Sequence, residues 1–452
     1  MKLERFDVVV WSVVSLIALA LGAVLWIGDR AGVRIVGVRP ESNETISAKG
    51  AVVIEFAQPM NRASVESGFR IDPEIEGRYF WQANTLTFAP SEPFARNVTY
   101  MATVIKGVLA ESGQAVKADV AWRFTAREPQ VVYIAPASEA HELWVKDLEG
   151  EPRALTATNG GIYDFAVAPD GESIAYTVVN ESGGSDVWLM NRDGSTQWVV
   201  VECASDRCTA PDWSPDGRRI AYSRESAGIA PGAPNGPPRV WIFDRMSGAS
   251  SPLYQDSQLL GYGPSWSPDG KRLAAWDGSV GSIRVVELNT GDTLLLKSQS
   301  GVVGAWSPDG ETMLFNDLSF VSEQPYVKLY AADFATKEVR PAFDDERQVV
   351  DYSVPVWSPD GLWLAAGLKT AASGLGSQLW IMRPDGSEAR VVAGDPQYTY
   401  GAYRWSLWSD ALIFQRFALG VPFARPEILM WSIEDGSIRV IAEDASLPAW
   451  LP

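Results

Sequence analysis

The sequence predicts an all-β chain: a seven-bladed β-propeller over residues 128–452, a small β-sandwich over 33–127, and one transmembrane helix within 1–32. Three observations carry this. An uncharged apolar run opens the chain. Short alternating runs fill the next hundred residues. A tryptophan-led motif then recurs at intervals of 40–53 residues.

Val8 to Ile27 reads VVVWSVVSLIALALGAVLWI, without a charge. At about 1.5 Å per residue such a helix reaches about 30 Å, the hydrocarbon thickness of a bilayer. Trp11 and Trp26 sit near its ends, where aromatic rings favour the interface. The run is longer than a signal-peptide core and its exit, WIGDRAG, is a poor match to an A-x-A-like cleavage site, so an uncleaved anchor is expected. Lys2 and Arg5 before it and Arg30, Arg34 and Arg39 after it leave orientation open. No later segment is apolar enough to span, so a single-pass protein with its bulk outside the cytoplasm is expected.

Between residues 33 and 127, VRIVGV, AVVIEFA, NTLTFAP, TYMATVI and VAWRFTA alternate apolar and polar residues between turns rich in Pro, Asn and Gly. Period two without a helical period argues a sandwich. The F-x-x-P-M turn at Phe56–Met60, the L-T-F-x-P strand end at Leu86–Pro90 and the late Phe124-Thr125 resemble the bacterial SbsA-type Ig-like domain. That resemblance implies a spacer or adhesive module and no catalyst.

From residue 130 one pattern repeats: FAVAPDGESIAY, DWSPDGRRIAYS, SWSPDGKRLAAW, AWSPDGETMLFN, VWSPDGLWLAAG and a degenerate RWSLWSDALIFQ. The aromatic slots are Phe165, Trp213, Trp266, Trp306, Trp357 and Trp405. Such periods mean propeller blades of about four strands each. In each copy Pro presets φ, Asp bonds its own backbone and Gly takes the left-handed position, so these aspartates are turn residues and not catalytic carboxylates. Seven second hairpins accompany the six slots, the one at 143 lying ahead of the first slot. VVYIA at 131–135 aligns with a second strand, and the final LPAWLP puts Trp450 in a seventh slot, so the last residues complete the first blade. Six blades is the alternative if one degenerate copy is not a blade. The repeat resembles the TolB-type β-propeller family, whose relatives include protein–protein scaffolds and the propellers of serine peptidases. No G-x-S-x-G elbow accompanies it, so the peptidase reading lacks its nucleophile.

Composition removes further classes. With 38 basic and 56 acidic residues the net charge is −18, which repels nucleic acid. One histidine, His141, excludes histidine-cluster metal sites, and no metal or cofactor is expected. Cys203 and Cys208 in CASDRC either close a small disulfide loop or remain two thiols.

In a blade with strands a to d, the a–b and c–d turns share one face, and the longer b–c and d–a loops share the other. Those loops carry Tyr262, Phe320, Tyr326, Tyr352, Tyr398, Tyr400, Phe417 and Phe423 beside Asp344, Asp345 and Asp351. Aromatics among carboxylates suit a protein or glycan partner. The expected function is therefore a membrane-anchored, extracytoplasmic binding or scaffold protein, with the membrane met through Val8–Ile27. The alternative is a glycan-active hydrolase or lyase using Asp345 and Asp351 as acid and base.

Overall fold

A computed structural model describes residues 10–20 and 32–452, except 139, 231, 322–323, 344–348 and 371–373. The chain divides into two compact units, Met1–Glu128 and Pro129–Pro452.

In the first unit, two four-stranded sheets sandwich an aromatic core. One contains Ile35–Arg39, Val52–Phe56, Thr85–Pro90 and Gly77–Gln82; the other Glu44–Ile46, Val120–Ala126, Thr99–Val104 and Phe69–Asp72. Alternation does the sorting: Val52, Ile54 and Phe56 point inward, as do Tyr100, Ala102 and Val104. Phe94, Tyr100 and Phe124 pack ring against ring at 4.8–5.7 Å. A short helix, Arg62–Gly68, starts where the Asn61 side chain accepts the Ser64 amide at 3.0 Å.

The transmembrane helix expected over Val8–Ile27 does not stand. Residues 10–20 are helical, and 8–9 and 21–27 lie outside the described residues. Among the described residues no helix is long and apolar enough to cross a membrane. The membrane-anchored localisation rested on that helix and is corrected with it. The all-β architecture of sandwich and propeller is what remains of the expected fold class.

The second unit is a ring of seven four-stranded blades. Six follow in chain order, with inner strands beginning at Ile162, Arg207, Tyr262, Ala305, Val349 and Tyr398. The first blade comprises Gln130–Ala135, Glu142–Asp147 and Arg153–Ala154, and takes its inner strand, Ser446–Leu451, from the far end of the unit. There Trp450 pairs with Val131 and Leu451 with Gln130. The Arg192 guanidinium then donates to the Pro452 carbonyl at 2.6 Å, tying the closing strand to the second blade. Two neighbouring pairs are also joined sheet to sheet by single parallel bridges, Ser185 to Arg207 and Val327 to Asp351.

Inter-blade packing explains the tryptophans. Trp213, Trp266, Trp306 and Trp405 are buried between successive blades. Trp213 Nε1 donates to the Ala166 carbonyl (3.0 Å), Trp405 to Val356 (3.3 Å) and Trp450 to Arg404 (3.0 Å), each on the preceding inner strand.

Candidate functional site

The two faces of the ring differ because their connections differ. On the turn face the repeated serine is buried and organises each turn. Ser267 Oγ donates to Asp269 (2.6 Å) and accepts the Arg272 amide (2.9 Å), and Ser214, Ser307 and Ser358 repeat this with Asp216, Asp309 and Asp360. Ser409 Oγ adds a bond from the Asp360 amide. These carboxylates are spent on backbone geometry.

The loop face is less self-satisfied. An exposed large apolar side chain stands at or beside the b–c connection of six blades: Val179, Ile229, Val280, Phe320, Leu375, and Val421 with Phe423. Ile229 and Phe423 are as open as in an extended chain, at 103% and 101%. At or beside the opposite turns stand Trp198, Met246, Val339, Leu362 and Ile438 among the residues described, none of them as open as Ile229 or Phe423.

The loop residues expected to bind a partner separate into groups. Phe320, Phe417 and Phe423 are exposed, and Tyr262 is 40% exposed. Tyr326 is half-buried, cross-strand from Ser319 in a long hairpin. Tyr398 is half-buried beneath the Arg416 guanidinium, 4.3 Å from its ring centroid. Tyr400 is 7% exposed: its hydroxyl accepts the Asp395 amide, its carbonyl accepts the Tyr403 hydroxyl at 2.7 Å, and its ring packs on Phe414. It supports the loop from below. Asp351 accepts the Val327 amide at 2.9 Å and pins the bridge between blades, and the Tyr352 ring packs near Phe343. Asp344 and Asp345 lie outside the described residues. Cys203 and Cys208 form a disulfide in the crossover from second to third blade, and both are buried. His141 Nε2 lies 3.3 Å from the Ala137 carbonyl oxygen in its own loop.

A second set of residues escaped the reading of the loops. The residue just before the slot is Asp164 in the second blade, Asp212 in the third and Arg404 in the seventh. A register shift falls at each of them, between Ile162 and Phe165, Thr209 and Asp212, and Gly401 and Arg404. Ala210 and Ala402 take positive φ (52° and 50°) within two of these bulges. A bulge re-aims the side chain beside it and frees an amide. Asp164 Oδ2 accepts the freed Ala210 amide at 2.6 Å, and Asp212 Oδ2 accepts the Trp266 amide at 2.8 Å.

The third and seventh blades are not neighbours, yet the charges of Asp212 and Arg404 act on one another. They can do so only across the lumen of the ring. Arg404 is solvent-exposed although protein surrounds it, which places it on the wall of a solvent-filled channel. Burial pushes the Asp212 carboxyl up to about 7, against the opposing pull of the Trp266 and Trp213 amides and of Arg404. Burial raises Asp164 likewise, opposed by the Thr177 hydroxyl and the Ala210 amide. Towards the loop face, Arg207 lies 5.5 Å from the Tyr163 ring centroid and 3.6 Å from the Glu225 carboxylate. Burial, then the Asp164 and Glu225 charges, raises the Tyr262 hydroxyl beside them.

Comparisons with known proteins agree with the two units. The family model for a bacterial Ig-like domain matches residues 29–126, and it does not carry the finer SbsA-type assignment. The chain is 29% identical over 214 residues to the uncharacterised peptidase YuxL of Bacillus subtilis (45% of this chain, 29% of that protein). It is 23% identical over 296 residues to dipeptidyl-peptidase 5 of Porphyromonas gingivalis (61% of this chain, 42% of that protein). It therefore spans less than half the length of either relative. Among solved structures it is similar to a putative TolB from Agrobacterium tumefaciens, at 18% identity and TM-score 0.42 over 55% of this chain and 84% of that one. Residues 29–126 thus match a bacterial Ig-like domain, and the seven-bladed propeller that follows is read from the strand order of the structure itself.

Proposed function

We propose that this chain is a binding protein whose propeller holds a protein partner on its loop face. The observation that carries this is the row of exposed apolar tips on six b–c connections, facing away from the polar turns. The tips join the rings of Phe320 and Phe423 to the aliphatic Ile229, Leu375 and Val421, and the aliphatic ones, on which sugars do not stack, favour a protein over a glycan. Apolar side chains exposed together on one face of a fold are candidates for an interaction surface. The glycan-cleaving alternative is weakened because Asp351, half of its acid–base pair, already holds the Val327 amide.

A photo-crosslinker at Phe423 should capture one defined partner in the cells that make this protein, and Phe320→Ser with Leu375→Ser should abolish the capture. The same adduct from a crosslinker at Leu362, on the opposite face, would sink the reading, as would no adduct from Phe423.

A further inference from the structure

We propose that the channel of the ring binds a carboxylate-bearing ligand, seated on the Arg404 guanidinium with Asp212 across the lumen. The inference does not depend on what docks on the loop face.

The geometry argues as follows. Of the five N–H donors of a guanidinium, Arg404 commits one Nη1 bond, at 2.8 Å, to the carbonyl of its own neighbour Tyr403. No ion pair within 4.0 Å joins it to any carboxylate of the described residues, Asp212 included. A charged fork surrounded by protein, with most of its donors turned to solvent, matches the paired oxygens of a carboxylate. The wall across from it is already set, since Asp212 is anchored to the Trp266 amide.

The net charge of −18 opposes any anion, but exposed charges beyond about 8 Å are screened at physiological salt. At the site itself the adjacent Arg404 decides. Charged or titratable groups near the channel include Tyr163, Asp164, Arg207, Glu225 and Tyr262, and Arg404 is the one whose charge bears on Asp212. An anion entering the lumen disfavours ionised Asp212, so binding takes up a proton there. With the Asp212 carboxyl at about 7, affinity should be about tenfold higher near pH 6 than near pH 8.

Calorimetric titration of the full chain tests this with three probes: glutarate, penta-alanine with a free C-terminus, and the same peptide amidated. Binding of glutarate assigns the site to small carboxylates. Binding of the free peptide alone assigns it to chain ends. Either supports the proposal, provided the amidated peptide does not bind. Arg404→Gln should abolish the signal, and Asp212→Asn should keep it and remove its pH dependence. Should Arg404→Gln not fold, Arg404→Lys takes its place, expected to weaken binding by losing the fork. The proposal is overturned if no carboxylate probe binds more tightly than about 10 mM, if the amidated peptide binds equally well, or if the Arg404 variants bind like wild type.

Discussion

Asp212 shows how one side chain couples the fold to pH. Its carboxyl is raised to about 7 in the folded chain, against about 3.9 when unfolded. The native state therefore holds a proton that the unfolded state releases. Stability from this group is undiminished below about pH 4, falls as pH rises through about 7, and is flat above. Asp212→Asn keeps an oxygen for the Trp266 amide and removes the titration. Its unfolding free energy should gain on wild type steadily between about pH 4 and about pH 7. Denaturant titrations at several pH values check this, and a constant difference between the two proteins would refute it. The channel was open to sequence reading in one respect: aligning the repeats on the aromatic slot puts Asp164, Asp212 and Arg404 in a single column. That these three face a common lumen was not, because it depends on the bulges and on which blades lie opposite.

At the scale of the element, the slot tryptophans are alike in sequence and unlike in bonding. Trp213 and Trp266 are both 5% exposed, and each has an arginine over its ring, Arg245 at 5.2 Å and Arg219 at 4.6 Å. Trp213 donates to Ala166, whereas Trp266 Nε1 is buried without a partner. Replacing each by Phe removes similar area, but only at 213 does it orphan a carbonyl, while at 266 it removes an unsatisfied donor. Trp213→Phe should cost about 1 kcal/mol more than Trp266→Phe in chemical denaturation. Equal costs would mean that packing alone sets the slot. The Pro-Asp-Gly turns were readable because their chemistry is local. Tyr400 was misjudged as a surface tyrosine because its burial is set by Phe414 and Tyr403, which no local pattern reveals.

For the whole molecule, periodicity made the blades legible, and the leftover half-repeats at 131–135 and 446–451 located the seam. The amphipathic sandwich strands were equally plain. An apolar composition at Val8–Ile27 suggested a span, but no helix among the described residues is long and apolar enough to cross a membrane. Removing residues 446–452 takes away the inner strand of the first blade, with fully buried Leu451 and the Arg192 anchor on Pro452. It also exposes the edge of Gln130–Ala135 for pairing between molecules. The truncated chain should associate and lose its cooperative transition, as read by light scattering and thermal melting. A monomer melting like wild type would contradict that role for the seam.

The same seam also bears on the timing of folding. Val131 meets Trp450 only after the whole ring between them has left the ribosome, so the first blade begun is the last to be finished. Blades two to seven can assemble from contacts within and between successive hairpins. Closing the ring must instead bring together segments more than three hundred residues apart, a rate-lowering event of high contact order. Until then the strand Gln130–Ala135 waits with an unpaired edge, and the nascent chain is most vulnerable where the finished ring is best protected.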